Sequence, residues 1–351
     1  MNYLIVGDLH LKLNNLEAAD LFFDYLFEEI KKKGKDVEVF FLGDIYEVKS
    51  IIRVEVQNYF YNKLSKISDN VKAIYLILGN HDYTNKNLVD HAFNFGCEKL
   101  IKNLKVIDKP SILNDGIWAI PYCENSQDFI KRLADLTSTV EIKKPKIIFC
   151  HQAFNGFAYS VRSGVKEENG VDLEKVKFDG CKVIAGHFHS FQEKDVIVYL
   201  GTPFAHTFSE ANESKKILWI KDDKWEYLST GDKVPRYCIF DTNFNELLGG
   251  KKFGYKENDH VKFLISDKEE NCKKVTKDFL GSLMDEGKIK KCDNVYLQYS
   301  FSDHQVDINI DENQSVISMF EDYVNIYLKD NKYKGLILKV GVGRYLKNAS
   351  L

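Results

Sequence analysis

Two residues near the N-terminus, Asp8 and His10, have the side chains and the spacing of a metal-binding pair. In extended backbone, residues two apart project from the same face, so the carboxylate and the imidazole could share one ion. This mixture of oxygen and nitrogen ligands suits a first-row transition metal such as manganese, iron or zinc. One Asp-x-His pair is weak evidence, however, because a capping Asp beside an ordinary His gives the same pattern.

The same combination recurs downstream, each time after an apolar run that predicts a buried strand. The candidate ligands at these five strand ends are Asp8, His10, Asp44, Asn80, His81, His151, His187 and His189. The set uses five of the nine histidines, which packing alone explains poorly, although a purely structural role for all of them is the alternative. With carboxylates, imidazoles and an amide but no thiolate, it argues against a structural zinc site. It fits two ions that share a carboxylate, an arrangement suited to phosphate ester hydrolysis.

The elements that must position these residues alternate between strand and helix. We predict strands at 2–6, 37–42, 72–78, 105–107, 116–120, 146–150, 182–185, 196–200, 217–220 and 225–228. We predict helices at 16–33, capped by Asn14 or Asn15, and at 52–66, 87–95 and 125–138. The expected fold class is α/β, with two packed β-sheets flanked by helices, and the last two strands are expected to complete the second sheet. Such sheets place their chemistry at the carboxyl ends of the strands.

The chain is long enough for a second, smaller core. We place domain boundaries to give a catalytic domain at 1–230, an α+β domain at 231–310 and a C-terminal helix and tail at 311–351. In the second part we predict strands at 236–241, 260–266 and 294–300, and helices at 270–286 and 312–329.

Composition limits the class of protein. The formal net charge of −3 gives no global signature for nucleic acid binding, although a local basic patch is compatible with it. Seven cysteines without a Cys-x-x-Cys pair predict reduced, buried thiols rather than a disulfide framework. No signal peptide pattern and no membrane-length apolar run are present, so we expect a cytoplasmic protein, in the host cytoplasm if it is a phage protein.

At this point the sequence resembles the calcineurin-like metallophosphoesterases. GDLH, GDIYE, GNHD, the isolated His151 and GHFH occur in the order and spacing of that family, over about the first 205 residues. Within it, the chain most resembles the DNA repair nucleases of the SbcD and meiotic-recombination-eleven type. The GTPF step after GHFH, and the stretches IPYCEN and HQAFNGF, are similar to the bacteriophage members in particular.

The resemblance implies a role for each motif residue. The first metal would be held by Asp8, His10, Asp44 and His189, and the second by Asp44, Asn80, His151 and His187. His81 would lie beside the phosphate, stabilising the transition state or protonating the leaving oxygen, and Asp82 would orient His81. One departure is Glu47, which stands where many cellular members carry a histidine, and an unpaired anion there would repel the scissile phosphate.

The resemblance further implies a DNA exonuclease and endonuclease that uses two divalent ions. Manganese is the expected ion, with magnesium, iron(II) or zinc as alternatives. It implies a homodimer through helices near 50–66 and 84–96, and an SbcC-type coiled-coil ATPase bound through the C-terminal region. Two other functions stay open from the sequence. One is a phosphoesterase acting on small phosphodiesters, nucleotides or phosphoproteins, and the other is a scaffold with an inactive site.

Overall fold

The computed structural model describes residues 2–94, 96–114, 116–138, 145–160, 162, 164–176, 178 and 180–302. Almost all of these residues belong to one compact unit, Met1–Ser300. The predicted helix at 312–329 and the tail that follows it lie outside the described residues.

The described part of the chain contains fifteen strands and seven α-helices. The strands are β1 (Asn2–Val6), β2 (Glu38–Phe41), β3 (Ala73–Ile77), β4 (Leu104–Ile107), β5 (Ser111–Asn114), β6 (Ile117–Ile120), β7 (Ile147–His151), β8 (Lys182–Gly186), β9 (Gln192–Lys194), β10 (Ile197–Tyr199), β11 (Lys216–Lys221), β12 (Lys224–Ser229), β13 (Tyr237–Thr242), β14 (His260–Asp267) and β15 (Asn294–Phe301). The helices are α1 (Leu16–Lys33), α2 (Val54–Ser68), α3 (Cys97–Leu100), α4 (Ser126–Ser138), α5 (Phe244–Leu248), α6 (Glu269–Lys274) and α7 (Lys277–Asp285).

Two six-stranded sheets form the larger part of the fold. The first has the order β12-β11-β1-β2-β3-β4 and the second β5-β6-β7-β8-β10-β9. The strands that precede the candidate ligands run parallel within each sheet, β1 to β3 in the first and β7 with β8 in the second. Their carboxyl ends therefore meet at one edge. The predicted α/β fold class of two packed sheets flanked by helices is confirmed.

Both faces of the central strands are buried, which explains their continuous apolar sequences. Tyr3 and Ile5 of β1 belong to the core between the two sheets, whereas the alternate residues Leu4 and Val6 pack with α1 and α2. In the core between the sheets, Phe40 of β2 stacks on Phe149 of β7, with ring centroids 4.3 Å apart. Aromatic contacts of this kind fix the spacing of the sheets and hence of the strand ends.

The prediction that β11 and β12 complete the second sheet is wrong. β11 pairs antiparallel with β1, so both strands extend the edge of the first sheet. Their local pattern identifies them as strands, but it does not specify which exposed edge they join. Two short edge strands of the second sheet, β5 and β9, lack a strong apolar pattern and were not predicted.

The predicted helix at 87–95 is also wrong. Residues 87–94 form turns, bends and an isolated bridge rather than a helix, and the short helix α3 begins only at Cys97. The side chain of Asn85 accepts a hydrogen bond from the Asn87 amide, and Leu88 and Gly96 both have positive φ, of 53° and 82°. Left-handed backbone at two positions interrupts the repeat of helical hydrogen bonds.

A third sheet, β13-β14-β15, has its own apolar core with α5, α6 and α7. The predicted single helix at 270–286 is two helices, because Val275 is extended and Thr276 accepts a hydrogen bond from the Phe279 amide as an N-cap. At the start of this sheet, buried Asp259 forms an ion pair with Arg236, Nη2 to Oδ2 2.6 Å. The boundary after residue 230 stays a prediction.

All seven cysteines lie in the described part of the chain, and all are buried free thiols, as predicted. Among the described residues, none of the helices combines the length and the hydrophobicity that a bilayer-spanning segment requires.

Candidate metal centre

Five strand ends converge at one edge of the two sheets, and glycines allow the approach. A Cβ added to Gly43 would lie 2.6 Å from both the Gly79 amide nitrogen and His151 Nδ1, and Gly43 has a φ of 102°. A Cβ added to Gly186 would collide with Asp8 Oδ1 and would lie 2.6 Å from the Leu42 carbonyl oxygen. These glycines therefore let ligands from the two sheets meet without side chains between them.

Asp44 lies at the centre of the cluster and is buried. Its Oδ1 accepts a hydrogen bond from the His81 amide at 2.7 Å. Its Oδ2 lies 3.4 Å from His151 Nε2 and 3.6 Å from His10 Nε2, so one oxygen faces imidazoles from both groups of ligands. Although burial alone would raise the pKa of Asp44, these imidazoles hold that pKa well below its usual range. Its position is that of a carboxylate shared by two ions.

Asp8, His10 and His189 form the first group, with candidate ligand atoms all within 4.8 Å of one another. The Nε2 atoms of His10 and His189 lie only 3.0 Å apart. Asp8 Oδ2 accepts from the His187 amide at 2.8 Å, but buried Oδ1 has no hydrogen-bond partner among the described residues. An unpartnered buried carboxylate oxygen is costly, and a cation would compensate that cost.

Asp44, His151 and His187 form the second group, and Asn80 lies between its two imidazoles. Asn80 Oδ1 is 3.1 Å from His151 Nε2 and 2.9 Å from His187 Nδ1. His151 Nδ1 donates to the Leu42 carbonyl at 2.8 Å, which leaves Nε2 as the nitrogen that faces the oxygens of Asn80 and Asp44. Burial opposes protonation, but Asp44 and Asp8 raise the pKa of His151 to about 9, so this group also attracts positive charge.

Acidic side chains outside the two groups contact the outer nitrogens of their imidazoles. Glu47 Oε2 lies 3.1 Å from His10 Nδ1, and Glu47 Oε1 lies 3.4 Å from Lys12 Nζ. Glu210 Oε1 lies 3.3 Å from His189 Nδ1, and its buried carboxylate also accepts from Lys215 at 2.7 Å. Partners of this kind orient a histidine so that its other nitrogen faces the metal. Glu47 is therefore paired, which removes the repulsion of phosphate that an unpaired anion would cause.

His81 lies at the same edge, and its ring is held by Glu47 rather than by Asp82. His81 Nδ1 donates to the Glu47 carbonyl oxygen at 2.6 Å, and the ring centroid is 4.9 Å from that of His10. His81 also has a candidate ligand atom within 4.8 Å of those on His10 and Asp44, so these three side chains form a third group with metal-binding spacing.

The predicted contact of Asp82 with His81 is not the one that the structure contains. Asp82 Oδ1 accepts from the Ile45 amide and Oδ2 from the Gly79 amide, both at 2.9 Å. The tight turn after Gly79 directs this buried carboxylate back towards the backbone, where it joins the ends of β2 and β3. Burial and the charge of Asp44 raise the pKa of Asp82 to about 7.

A further histidine at this edge, His206, was not indicated by the sequence motifs. Its ring centroid is 5.8 Å from that of His10 and 6.0 Å from that of His189. His206 Nδ1 contacts the side chain of Asn15 at 3.2 Å. The Asn15 side chain therefore contacts this histidine, and it does not cap α1. Burial lowers the pKa of His206 to about 3. Only its position after the GTPF step could have indicated it.

Three of the predicted ligands have unfavourable backbone conformations. His10, Asp44 and His187 have positive φ, of 43°, 47° and 107°. Such values cost roughly 1–3 kcal/mol each in a residue with a side chain. The surrounding hydrogen bonds hold them, since the Asp44 carbonyl accepts from the His10 amide at 2.9 Å. Backbone strain that is concentrated at candidate ligands is typical of a functional site.

The arrangement fits divalent ions. Among the described residues, each group offers carboxylate oxygens and imidazole nitrogens within 4.8 Å of one another, and neither group includes a thiolate. The identity of the ions is not specified by these donors, since manganese, iron and zinc all accept them.

The predicted metal ligands, residues 8 to 189, all fall within a region that matches a known family. A family model described as calcineurin-like phosphoesterase matches residues 1–191, and the chain belongs to that family, whose members use divalent metal ions. The predicted family is thus confirmed.

Two relatives extend the comparison beyond this region. Exonuclease subunit 1 of Enterobacteria phage T4 is 26% identical over 341 residues, covering 93% of this chain and 92% of the relative. Putative phosphoesterase 244L of Invertebrate iridescent virus 6 is 27% identical over 226 residues, covering 63% and 76%. The similarity to the T4 subunit agrees with the predicted resemblance to phage-type nucleases.

Replacing Glu47 by Gln should weaken manganese binding at one of the two groups. The amide cannot support the His10 imidazole as a carboxylate does, and loss of such a partner lowers metal affinity by about 10- to 100-fold. Isothermal titration with Mn²⁺ would measure this. Glu55→Gln is the matched control, because Glu55 is exposed and its ion-pair partner among the described residues is exposed Arg53. Equal affinities in both variants would contradict the role assigned to Glu47.

Proposed function

We propose that this protein is a two-metal, manganese-dependent phosphodiesterase that cleaves DNA. The observation that carries the proposal is the convergence of two ligand groups on the single buried carboxylate of Asp44. Asp8, His10, Asp44 and His189 would hold the first ion. Asp44, Asn80, His151 and His187 would hold the second. When bound, the ions would neutralise phosphate charge and lower the pKa of a nucleophilic water.

The proposed role of His81 is to transfer a proton to the leaving oxygen. Its Nδ1–H is held by the Glu47 carbonyl, so Nε2 is the nitrogen left for substrate. Burial lowers the pKa of His81, and a phosphate anion close by would raise it again, because an opposite charge favours the imidazolium. His81 would then be protonated with substrate in place. Asp82 would act indirectly, by holding the turn that carries His81.

The support for a DNA substrate is the similarity along 93% of the chain to a protein named as an exonuclease subunit. The name of this relative describes it as a subunit, which also supports a partner polypeptide. We propose that the partner is an SbcC-type coiled-coil ATPase that binds the C-terminal region at 311–351. In this account the protein works in double-strand-break processing and recombination in the cytoplasm, which is the host cytoplasm for a phage protein.

We further propose a homodimer that uses the start of α2. Val48, Ile51 and Val54 are 51%, 75% and 64% exposed, an apolar patch of the kind that favours protein contacts. The Ser50 hydroxyl donates to the Thr84 carbonyl at 3.2 Å, so the turns from residue 84 onward adjoin this patch. The dimer would therefore use one helix and a turn region, rather than two helices.

Replacing His81 by Ala should leave both manganese ions bound and abolish most cleavage. Loss of a general acid costs about 10²- to 10⁴-fold in rate. We would measure cleavage of end-labelled linear DNA, hairpin DNA and bis-p-nitrophenyl phosphate, with and without Mn²⁺. His260→Ala, a histidine of β14, is the control and should cleave as wild type does.

The same assay separates the competing functions. Manganese-dependent DNA cleavage by the wild type supports the proposal. Hydrolysis of the small diester with DNA uncut, even with a candidate ATPase added, would favour the phosphoesterase of small substrates. Loss of metal from His81→Ala would show that His81 is a ligand.

Removing residues 312–351 should preserve manganese-dependent hydrolysis of bis-p-nitrophenyl phosphate and abolish ATPase binding. The predicted metal ligands all lie within residues 8–189, far along the chain from the deletion. Co-purification with a tagged candidate ATPase would test binding, with the full chain as the control. Binding retained by the shortened chain would place the contact elsewhere.

A further inference from the structure

One ring nitrogen of His206 has no hydrogen-bond partner within the part of the chain that the structure describes, and the surroundings of the ring determine which nitrogen carries the proton. Asn15 Oδ1 accepts from the Lys12 amide at 2.9 Å, and Asn15 Nδ2 donates to the His10 carbonyl at 2.9 Å. These two bonds fix the orientation of the Asn15 amide. The group that faces His206 Nδ1 at 3.2 Å is therefore the donor Nδ2.

Because Asn15 Nδ2 can only donate, His206 Nδ1 must accept, and the proton of the neutral ring lies on Nε2. Nε2 is shielded from solvent and has no hydrogen-bond partner among the described residues. A buried donor without a partner is destabilising, and a bound acceptor would offset that cost. With a proton on Nε2 and a donor against Nδ1, the ring has no lone pair to offer a metal.

The position of the ring indicates which acceptor this would be. His206 packs edge-to-face against His10 and His189, both proposed ligands of the first ion, at interplanar angles of 81° and 64°. The group that accepts from Nε2 beside these imidazoles must be an acceptor that is compatible with the ion they are proposed to hold. A phosphate oxygen meets both conditions.

We propose that His206 is a further substrate-contacting residue, whose Nε2–H donates a hydrogen bond to a phosphate oxygen bound on the first-metal side of the centre. This inference rests on the proposed function, since the phosphate would belong to the diester. It adds a neutral donor to the site from a segment that follows β10, separate from the five strand ends that carry the predicted ligands.

The test is orthophosphate binding to the manganese-loaded full chain by isothermal titration. His206→Phe keeps an aromatic ring against Phe204, whose centroid is 4.9 Å away, but removes the donor. His206→Gln keeps a donor. His260→Ala is the control, because His260, in the third sheet, likewise has a buried ring nitrogen for which the described ranges contain no hydrogen-bond partner.

We expect His206→Phe to bind manganese as wild type does and to bind phosphate about 10- to 100-fold more weakly, the effect of one hydrogen bond to a charged group. His206→Gln should recover part of the affinity, and His260→Ala should be unchanged. Phosphate affinity within twofold of wild type in His206→Phe would overturn the inference. So would loss of a manganese equivalent, or a loaded wild type that does not bind phosphate.

The readout does not depend on cleavage. If phosphate binding depends on His206 but the wild type leaves DNA and bis-p-nitrophenyl phosphate intact, the inference stands and the proposed function fails. If DNA is cut and phosphate binding is indifferent to His206, the proposed function stands and the inference fails.

Discussion

The structure depends on one constraint, which is that the carboxylate of Asp44 is buried between imidazoles from two different sheets. Its Oδ2 atom faces His10 on one side and His151 on the other, at 3.6 and 3.4 Å. Keeping a charge in such a place requires neighbours that favour the ionised form, and the imidazoles lower its pKa accordingly. The spacing of the sheets, the glycines and the strained turns are all conditions for this one placement.

Several features of the candidate metal centre lower the stability of the folded protein. Positive φ values at three predicted ligands and an unpartnered oxygen on Asp8 all oppose stability. The apolar cores on both faces of each sheet, including the stacked Phe40 and Phe149, stabilise the molecule against these local costs. Divalent cations would then remove much of the cost, so that metal binding and stability of this edge should be linked.

The outer contacts explain how the chain differs from the pattern that its motifs resemble. Glu47 contacts the His10 ring through its carboxylate and the His81 ring through its carbonyl, so one residue orients a proposed ligand and a proposed proton donor. Glu210 has the corresponding contact with His189, stabilised by buried Lys215. The first-metal side is thus more heavily supported by acidic side chains than the motifs alone indicate.

The sequence predicted most of the strands, the family and the candidate residues at the strand ends, because each is encoded locally by an apolar run, a glycine and a ligand. Predictions from the sequence were wrong or missing where a contact depends on residues far apart in the chain. No local pattern indicates which sheet edge β11 joins. The same holds for two side-chain contacts, that of Glu210 with His189 across 21 residues and that of Asn15 with His206 across 191 residues. Asp82 accepts from backbone amides rather than contacting His81, since the direction of its side chain depends on the turn. The helix predicted at 87–95 is wrong for a local reason, which is the left-handed backbone of Leu88 and Gly96.

The most direct test of the account is whether two manganese ions share Asp44. Titration of the metal-free full chain with Mn²⁺, followed by electron paramagnetic resonance, reports both stoichiometry and magnetic coupling. The account predicts two equivalents with a spin-coupled spectrum in the wild type, and loss of the coupling in Asp44→Asn. A single equivalent in the wild type, or a coupled pair that survives in Asp44→Asn, would contradict it.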